Sequence, residues 1–360
     1  MTAFPKNTDV FIVGGGPAGL AAAIAARLKG FEVVVADAAR PPIDKACGEG
    51  LMPDSFAALR GLGVVLDDIE QSFPFRGIRF HGAGVSVAAV FPEGQGIGVR
   101  RTRLHEVLIE RARQAGVSML WGTRVNGVSV GNVSLDGGVV HTRWVIGADG
   151  QNSRVRHWAD LDAARHESAR YGFRRHYRVA PWTDYMEIYW GSGCQMYVTP
   201  VSPQEVCVAL ISHDSHLRFA SALPRFPELY SKLKRASTST AERGSVTVSR
   251  RLRQVYRDQT VLIGDASGSV DAIAGEGMSL SFHQSLALAD ALVDDDLEAY
   301  QEAHRRLMRR PALMAGLMLS LDRFPWLRPL ALRGMAFQPA VFEKLLAVHV
   351  GAESEVLAVS

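Results

Sequence analysis

The chain opens with a glycine-rich turn between a short apolar strand and a strongly helix-forming run. Residues 9–13 (Asp-Val-Phe-Ile-Val) are typical of a buried strand, and residues 20–29 are rich in alanine and leucine. Gly14, Gly16 and Gly19 lie between them in the pattern G-x-G-x-x-G. In this setting the glycines allow a tight turn, close approach of the backbone to a pyrophosphate, and close helix packing. The segment therefore predicts a Rossmann-type unit that binds a dinucleotide.

The same segment also predicts how the ligand is held. We expect Gly16, Pro17 and Ala18, at the helix N-terminus, to face the phosphates, because unpaired N–H groups and the helix dipole favour negative charge there. A second strand over residues 32–37 ends in Asp37. A carboxylate at this position accepts hydrogen bonds from the adenosine ribose hydroxyls.

Composition limits the classes of protein to which the chain can belong. Its 360 residues are 47% hydrophobic and 21% charged, which indicates a globular chain long enough for two domains. The formal net charge of +3 does not favour a nucleic-acid partner. Three widely spaced cysteines, Cys47, Cys194 and Cys207, suit a reducing compartment and lack zinc-site spacing, so we predict no metal. With no room for a signal peptide and no apolar run of about 18 residues, the expected location is cytoplasmic, without a transmembrane segment.

The pattern along the chain is typical of an α/β protein with a second sheet. Helices are predicted over residues 54–62, 102–114 and 277–293, and short antiparallel strands over about 75–99. Alternating runs between residues 169 and 248 predict an antiparallel meander. From Leu297 onward we expect helices, interrupted at Pro311, Pro325, Pro329 and Pro339. We predict a discontinuous Rossmann-type cofactor domain (1–74, 100–168 and 250–296), a sheet domain for the substrate (75–99 and 169–249), and a helical cap (297–360).

Two further motifs agree with the first one. Residues 147–150 read Gly-Ala-Asp-Gly, and Gly264-Asp265 is followed by Gly275-Glu276-Gly277-Met278. In this order the three motifs resemble the p-hydroxybenzoate hydroxylase superfamily of FAD-dependent oxidoreductases, close to its geranylgeranyl reductase-like branch. The resemblance covers roughly residues 8–295 and implies a flavoprotein that holds FAD, with NAD(P)H as co-substrate.

The resemblance also implies roles for particular residues. Asp265, after Gly264, would hydrogen-bond the ribityl and pyrophosphate part of FAD. The backbone around Gly277 and Met278, which follows Gly275, would stabilise negative charge on the reduced flavin. Three further positions match family positions around the cofactor: Arg101 at the phosphates, Val125 at the adenine, and Asp149 between the FAD and nicotinamide regions.

A cysteine loop and two departures from family patterns bear on the chemistry. The loop Cys47-Gly48-Glu49 is similar to a loop of the geranylgeranyl reductase branch that passes close to the flavin ring, where Cys47 could tune the flavin, donate a proton or pack. Ala272 stands where the hydroxylases usually have proline, which disfavours hydroxylation of a simple phenol. The tryptophan motif of the halogenases is absent, which disfavours halogenation.

Three functions are compatible with these residues. The favoured one is an NAD(P)H-dependent monooxygenase that hydroxylates or epoxidises a small apolar or aromatic, natural-product-like substrate through a flavin C4a-hydroperoxide. The alternative is a geranylgeranyl reductase-like enzyme that reduces or desaturates carbon–carbon bonds of an isoprenoid or polyketide. The third is a flavin-holding protein with a regulatory or electron-transfer role. NADH versus NADPH, the substrate and the oligomeric state stay open.

Candidates for catalysis come from two regions. His176 and His213 lie on the predicted second sheet, and Asp271 and Glu276 lie beside the flavin motif. Histidine and buried carboxylates are the usual groups for proton transfer, and Cys47 joins them if its loop reaches the flavin.

The C-terminal helices have two interpretations. Leu313, Leu317 and Leu321 recur at helical spacing and would close an apolar entrance to the substrate domain. Alternatively, these leucines and the arginines before them would form a peripheral membrane anchor. The cap is the preferred interpretation because the apolar stretch is short. The arginines concerned are Arg305, Arg306, Arg309 and Arg310.

Overall fold

The computed structural model describes residues 4–66 and 71–352. It confirms the predicted α/β class: a parallel Rossmann-type sheet, a largely antiparallel second sheet and C-terminal helices. The strands are β1 Asn7–Val13, β2 Val33–Asp37, β3 Gly50–Leu51, β4 Ser72–Phe75, β5 Gly77–Gly82, β6 Val85–Val90, β7 Gly96–Val99, β8 Ser118–Trp121, β9 Val125–Ser129, β10 Asn132–Leu135, β11 Gly138–Gly147, β12 Ala164–Arg178, β13 Met186–Trp190, β14 Cys194–Ser202, β15 Glu205–Ser212, β16 Ser237–Thr238, β17 Arg243–Leu252, β18 Tyr256–Arg257, β19 Thr260–Leu262 and β20 Gly268–Ser269. The helices are α1 Pro17–Leu28, α2 Asp54–Gly61, α3 Arg101–Gln114, α4 Arg154–Trp158, α5 Phe219–Ala222, α6 Pro227–Leu233, α7 Gly277–Asp294, α8 Leu297–Arg323, α9 Leu327–Phe337 and α10 Pro339–Val350.

The first sheet places three predicted motifs at one edge. Its strands run in the order β18, β19, β11, β1, β2, β8, and β1 is parallel to both β11 and β2. The carboxyl ends of these strands therefore bring Gly14, Asp37 and Asp149 together. Helices α1, α3 and α7 cover one face and share its buried core. The edge above this core is where a doubly wound sheet binds its ligand.

The second sheet has two different apolar faces. Its strands run in the order β20, β17, β12, β15, β14, β13, β5, β6. Side chains alternate across β14, so Met196 and Val198 pack beneath α5 and α6, whereas Tyr197 faces the C-terminal helices. The predicted meander is present from β13 to β15, and β12 pairs with the outer edge of β15. Strand β5 joins β13 in parallel.

The segment from residue 75 to 99 divides between two sheets. Strands β5 and β6 extend the second sheet, whereas β7 pairs with β3 and β4 in a separate three-stranded sheet. This small sheet holds the residues that follow the cysteine loop.

The expected helix interruption at Pro311 is wrong. Helix α8 continues through this buried proline, although the missing N–H and the ring clash typically cost about 3 kcal/mol in a helix interior. Packing of α8 against α7 and residues 272–274 offsets that cost. Pro329 and Pro339 lie in the first turns of α9 and α10, where proline is tolerated. None of the helices in the described ranges is long and apolar enough to cross a membrane.

Candidate active site

A large cavity lies between the glycine edge of the first sheet and the second sheet. Its volume is about 770 Å³, which is within the usual range for cofactor sites. Gly19 is outside its lining, and instead lets α1 pack on the glycine turn, because a Cβ there would lie 1.9 Å from the Gly14 carbonyl oxygen. The other predicted cofactor residues line the cavity: Gly14, Gly16, Pro17, Ala18, Asp37, Cys47, Arg101, Val125, Asp149, Gly264, Asp265, Gly275, Gly277 and Met278.

Two helix N-termini open into this cavity. Helix α1 follows Gly16 and helix α7 follows Glu276, and neither helix has a side-chain cap. Their first N–H groups are therefore free to bind an anion. A Cβ on Gly277 would meet nothing within 4 Å, and one on Gly16 would meet only the Arg101 Nη2 atom at 3.9 Å. The cavity thus has a backbone surface for a pyrophosphate and another for a negatively charged ring, which fits FAD.

Acidic residues are fixed at the predicted cofactor positions. The Asp37 carboxylate accepts hydrogen bonds from the backbone N–H groups of Gly15 at 2.7 Å and Ala39 at 2.8 Å. A carboxylate has about four acceptor positions, so capacity for sugar hydroxyls remains. Asp265 lies 3.4 Å from the Lys45 ammonium, a residue that the sequence motifs did not indicate.

Arg101 and Asp149 are held by the protein itself. The Arg101 guanidinium donates to the Ile43 carbonyl and lies beside Gly16, where a phosphate would lie. The Asp149 carboxylate accepts hydrogen bonds from the backbone N–H groups of Arg154 at 2.7 Å and Val155 at 3.2 Å. Asp149 therefore stabilises the start of α4 while lining the cavity.

The cysteine loop is attached to the second sheet. Thr199 Oγ1 donates to the Gly48 carbonyl at 2.7 Å, and the Glu49 N–H donates to Cys47 Sγ at 3.4 Å. Burial, followed by the nearby Glu49 carboxylate, raises the pKa of the Cys47 thiol. Cys47 is therefore protonated at neutral pH, which fits packing or hydrogen-bond donation rather than thiolate chemistry.

A buried pair behind the loop was not recognised as a pair from the sequence. The fully buried Glu49 has the left-handed backbone angle φ of 59°, and its Oε2 atom lies 2.6 Å from His176 Nε2. Its Oε1 atom accepts a hydrogen bond from the backbone N–H of Arg101 at 3.1 Å. His176 is outside the cavity lining, so its side chain positions the loop rather than contacting the cofactor.

The same cluster has metal-ligand atoms, but its surroundings do not favour a cation. Glu49, His176 and Cys207 place their ligand atoms within 4.8 Å of one another. Burial raises the pKa of Cys207 well above its ordinary value, so no thiolate is available. The buried Arg174 guanidinium lies 3.8 Å from Glu49 and adds positive charge. We assign no metal to this cluster.

The remaining catalytic candidates have different positions. Asp271 accepts a hydrogen bond from the buried Arg170 guanidinium at 2.9 Å and from the Ile273 N–H at 3.1 Å, so both of its oxygens have structural partners. The structure does not bring His213 to the site: its side chain is 57% exposed, beside Asp322 and outside the cavity lining.

Glu276 lies in the cavity wall next to a histidine from the last helix. It is 4% exposed, and its Oε1 atom is 2.8 Å from His349 Nδ1. The Arg310 guanidinium lies 3.7 Å from the other carboxylate oxygen. Glu276 Oε1 and His349 Nδ1 are close to each other but do not form a hydrogen bond of normal geometry. His349 was not predicted from the sequence, where its signal is one histidine at the end of an apolar helix.

A second, smaller cavity continues from the first, and we call it the apolar slot. Its volume is about 90 Å³, and it shares Met186, Tyr197 and Gly275 with the large cavity. The Tyr197 hydroxyl donates to the Ile273 carbonyl at 2.8 Å, so it is already used. His349 also lines the slot. Its other lining residues are Met52, Ile78, Phe80, Ile188, Trp190, Ile273, Ala274, Met314, Leu317, Met318, Leu321, Met335, Phe342, Leu345 and Leu346.

Comparison with known proteins agrees with this geometry. The sequence profile of the family described as "FAD binding domain" matches residues 7–307. A menaquinone reductase of Mycolicibacterium smegmatis is 29% identical over 88% of this chain and 86% of its own. A digeranylgeranylglycerophospholipid reductase of Thermoplasma volcanium is 27% identical, covering 76% and 75%. A 6-methylpretetramide 4-monooxygenase of Streptomyces rimosus is 27% identical, covering 82% and 78%.

A solved structure shows that the whole fold recurs. A flavin-dependent brominase superposes with a TM-score of 0.81 at 20% identity, over 96% of this chain and 94% of its own. These findings confirm the resemblance predicted from the three glycine motifs.

Proposed function

Because the chain belongs to the FAD binding domain family, we propose that this FAD-dependent oxidoreductase reduces carbon–carbon double bonds of an apolar, isoprenoid-like substrate. FAD would lie along the large cavity and, when bound, would supply a hydride carrier that NAD(P)H recharges. Gly16 and Arg101 would hold its phosphates, and Gly277 and Met278 would face the ring.

The lining of the apolar slot is the observation that carries this proposal. The slot begins at Gly275, beside the residues that would face the flavin ring, and is almost entirely apolar. A phenolic or acidic substrate would leave its polar groups unpaired there, which costs about 1–3 kcal/mol for each group. A hydrocarbon group has no polar atom to leave unpaired in such a slot. The reductase was the alternative at the level of the sequence, and the slot lining makes it the better-supported function.

Reduction of a carbon–carbon double bond requires a proton as well as a hydride, and we assign its delivery to Glu276 and His349. His349 lines the slot and Glu276 lines the large cavity, so the pair spans the wall between them. Imidazole and carboxylic acids are common proton donors in enzymes. Tyr197 is the other proton-bearing candidate, but its hydroxyl donates to a backbone carbonyl. This role therefore passes from His213, which lies outside the site, to His349.

The relatives support the same substrate class. Two of them are named as reductases, of menaquinone and of digeranylgeranylglycerophospholipid, and both names denote isoprenoid lipids. Each match extends over three quarters or more of this chain.

Monooxygenation of an apolar or aromatic substrate is the second candidate. The match to a 6-methylpretetramide 4-monooxygenase over 82% of the chain favours it. The two candidates differ in their need for oxygen, which makes them separable by experiment.

The test is anaerobic reoxidation of the bound cofactor. The full chain, loaded with FAD and reduced by one equivalent of NADPH, is mixed with geranylgeraniol without oxygen, and the flavin absorbance is followed. We expect the oxidised spectrum to return. Leu317→Trp should slow this return, because Leu317 lines the slot, whereas Leu313→Trp, one turn earlier and outside the lining, should not. A flavin that stays reduced until oxygen is admitted would contradict the reductase.

A further inference from the structure

The outer side of the C-terminal helices has a concentration of exposed apolar side chains. Phe337 is 91% exposed, Trp326 67% and Leu330 59%. Single exposed hydrophobic residues are normal on any surface, but several on adjoining helices mark an interaction site. Leu313, Leu317, Phe324 and Val341 belong to the same set.

The surface around these side chains is strongly basic. Between residues 305 and 344 there are eight basic residues and two acidic ones, Asp322 and Glu343, a formal charge of 8 − 2 = +6. The whole chain carries only +3, so this segment is far more basic than the remainder. The exposed basic residues are Arg305, Arg306, Arg309, Arg323, Arg333 and Lys344, whereas Arg328 is buried and Arg310 pairs with Asp54 and Glu276.

Basic and apolar side chains share one face of α8. Arg306, Leu313 and Leu317 follow at i, i+7 and i+11, which places them in one exposed row along the helix. Apolar side chains beside cations are the composition of helices that lie in a membrane interface.

The apolar slot lies directly beneath this surface. Leu317 is 44% exposed and also lines the slot, so one side chain belongs to both. The inward sides of the same helices supply Met314, Met335 and Leu346 to the slot. An apolar side chain, Leu317, therefore lies between the outer side of these helices and the slot.

We propose that the outer side of α8, α9 and α10, the docking surface, binds a lipid bilayer that carries anionic headgroups. The exposed aromatic and leucine side chains enter the interface, and the arginines attract the headgroups. A second copy of the chain fits less well, because two faces that each carry an excess of exposed basic side chains would repel each other. The choice of a lipid-embedded substrate rests on the proposed function, whereas the docking does not.

Flotation with vesicles tests the docking directly. The full chain loaded with FAD is mixed with vesicles of phosphatidylcholine and phosphatidylglycerol and centrifuged through a density gradient. We expect co-flotation that weakens at high salt, because screening reduces the attraction. The triple variant Trp326→Ser, Leu330→Ser, Phe337→Ser should bind at least roughly tenfold more weakly.

A matched control uses exposed apolar residues elsewhere. Leu28→Ser, Val130→Ser and Tyr230→Ser replace side chains that are 49%, 65% and 42% exposed, and this triple variant should float like the unaltered chain. Both triple variants should keep FAD, since the substituted side chains are exposed and outside the large cavity.

Three results would overturn the proposal. One is an unaltered chain that stays at the bottom of the gradient, and another is equal flotation of both triple variants. The third is a docking-surface variant that changes from dimer to monomer in sedimentation while it still floats, which would assign the surface to a second copy. Vesicle binding involves no turnover, so a chain that floats but fails to reduce an isoprenoid would refute the proposed function alone.

Discussion

Substitutions at Gly14 and Gly16 test separately the stability of the fold and the binding of the cofactor. Gly14 has φ of +110°, and a Cβ there would lie 2.4 Å from the Ala148 carbonyl oxygen. The positive φ costs an alanine about 1–2 kcal/mol, and overpacking against a neighbouring strand adds about 1–3 kcal/mol. We therefore expect Gly14→Ala to lower the free energy of unfolding by about 2–5 kcal/mol. Gly30→Ala is the matched control: its φ is +92° but its Cβ meets nothing within 4 Å, so only the first cost applies.

Gly16→Val should leave the stability of the apoprotein almost unchanged and weaken the binding of FAD. The φ of Gly16 is −74°, which any residue adopts, and the side chain would project into the large cavity beside Arg101. The free energy of unfolding of the apoprotein should change by less than about 1 kcal/mol. Loss of two charge-assisted hydrogen bonds to a phosphate, about 1.5–3 kcal/mol each, should weaken FAD binding by at least roughly a hundredfold.

Two measurements check these values. Urea unfolding of the apoproteins gives the stabilities, and titration of apoprotein with FAD, followed by flavin fluorescence, gives the affinities. The reasoning is refuted if Gly16→Val binds FAD as tightly as the unaltered chain. It is equally refuted if Gly14→Ala is no less stable than Gly30→Ala.

Three other substitutions test individual side chains. Cys47→Ser should change the flavin spectrum, reduction potential or turnover with the fold intact, and values identical to those of the unaltered chain would leave only a packing role. His349→Gln should lower turnover by about 10²–10⁴-fold at unchanged FAD affinity, as expected for a lost proton donor, and an effect below about tenfold would contradict the assignment. Burial lowers the pKa of His304 to about 4 in the folded chain, against about 6.5 in the unfolded chain. The unfolded chain therefore binds one more proton at acidic pH, and the free energy of unfolding decreases as the pH drops under about 6.5, by about 2 kcal/mol at pH ~5. His304→Asn should remove this part of the acid sensitivity in urea unfolding, and an equal loss in both proteins would count against it.

The sequence was sufficient where local rules decide the structure. A strand, a glycine turn, a helix and a second strand form one unit whose geometry follows from short-range sterics, so Gly14, Gly16 and Asp37 could be placed together in advance. Gly264 and Gly275, some 250 residues away, were placed only because their order resembles that of a known family.

Contacts between distant parts of the chain could not be predicted. Glu49 meets His176 across 127 positions, and Glu276 meets His349 only because α10 returns to the start of α7. The hydrophobic periodicity of a sequence does not predict contacts between residues so far apart in the chain. Pro311 shows the same limit. Its low helix propensity predicts an interruption, whereas the tertiary packing of α8 keeps the helix continuous. His213 suited an alternating strand, yet it follows the end of β15 and is exposed.

The mass of the product tests the central claim most directly. The FAD-loaded full chain is incubated with NADPH and geranylgeraniol under isotopically heavy oxygen gas, and the extracted lipid is analysed by mass spectrometry. Reduction predicts a product heavier by two hydrogen atoms and free of the heavy isotope. A product that has gained one heavy oxygen atom would contradict the account and assign the chain to the monooxygenases, and an unchanged lipid would contradict the isoprenoid substrate.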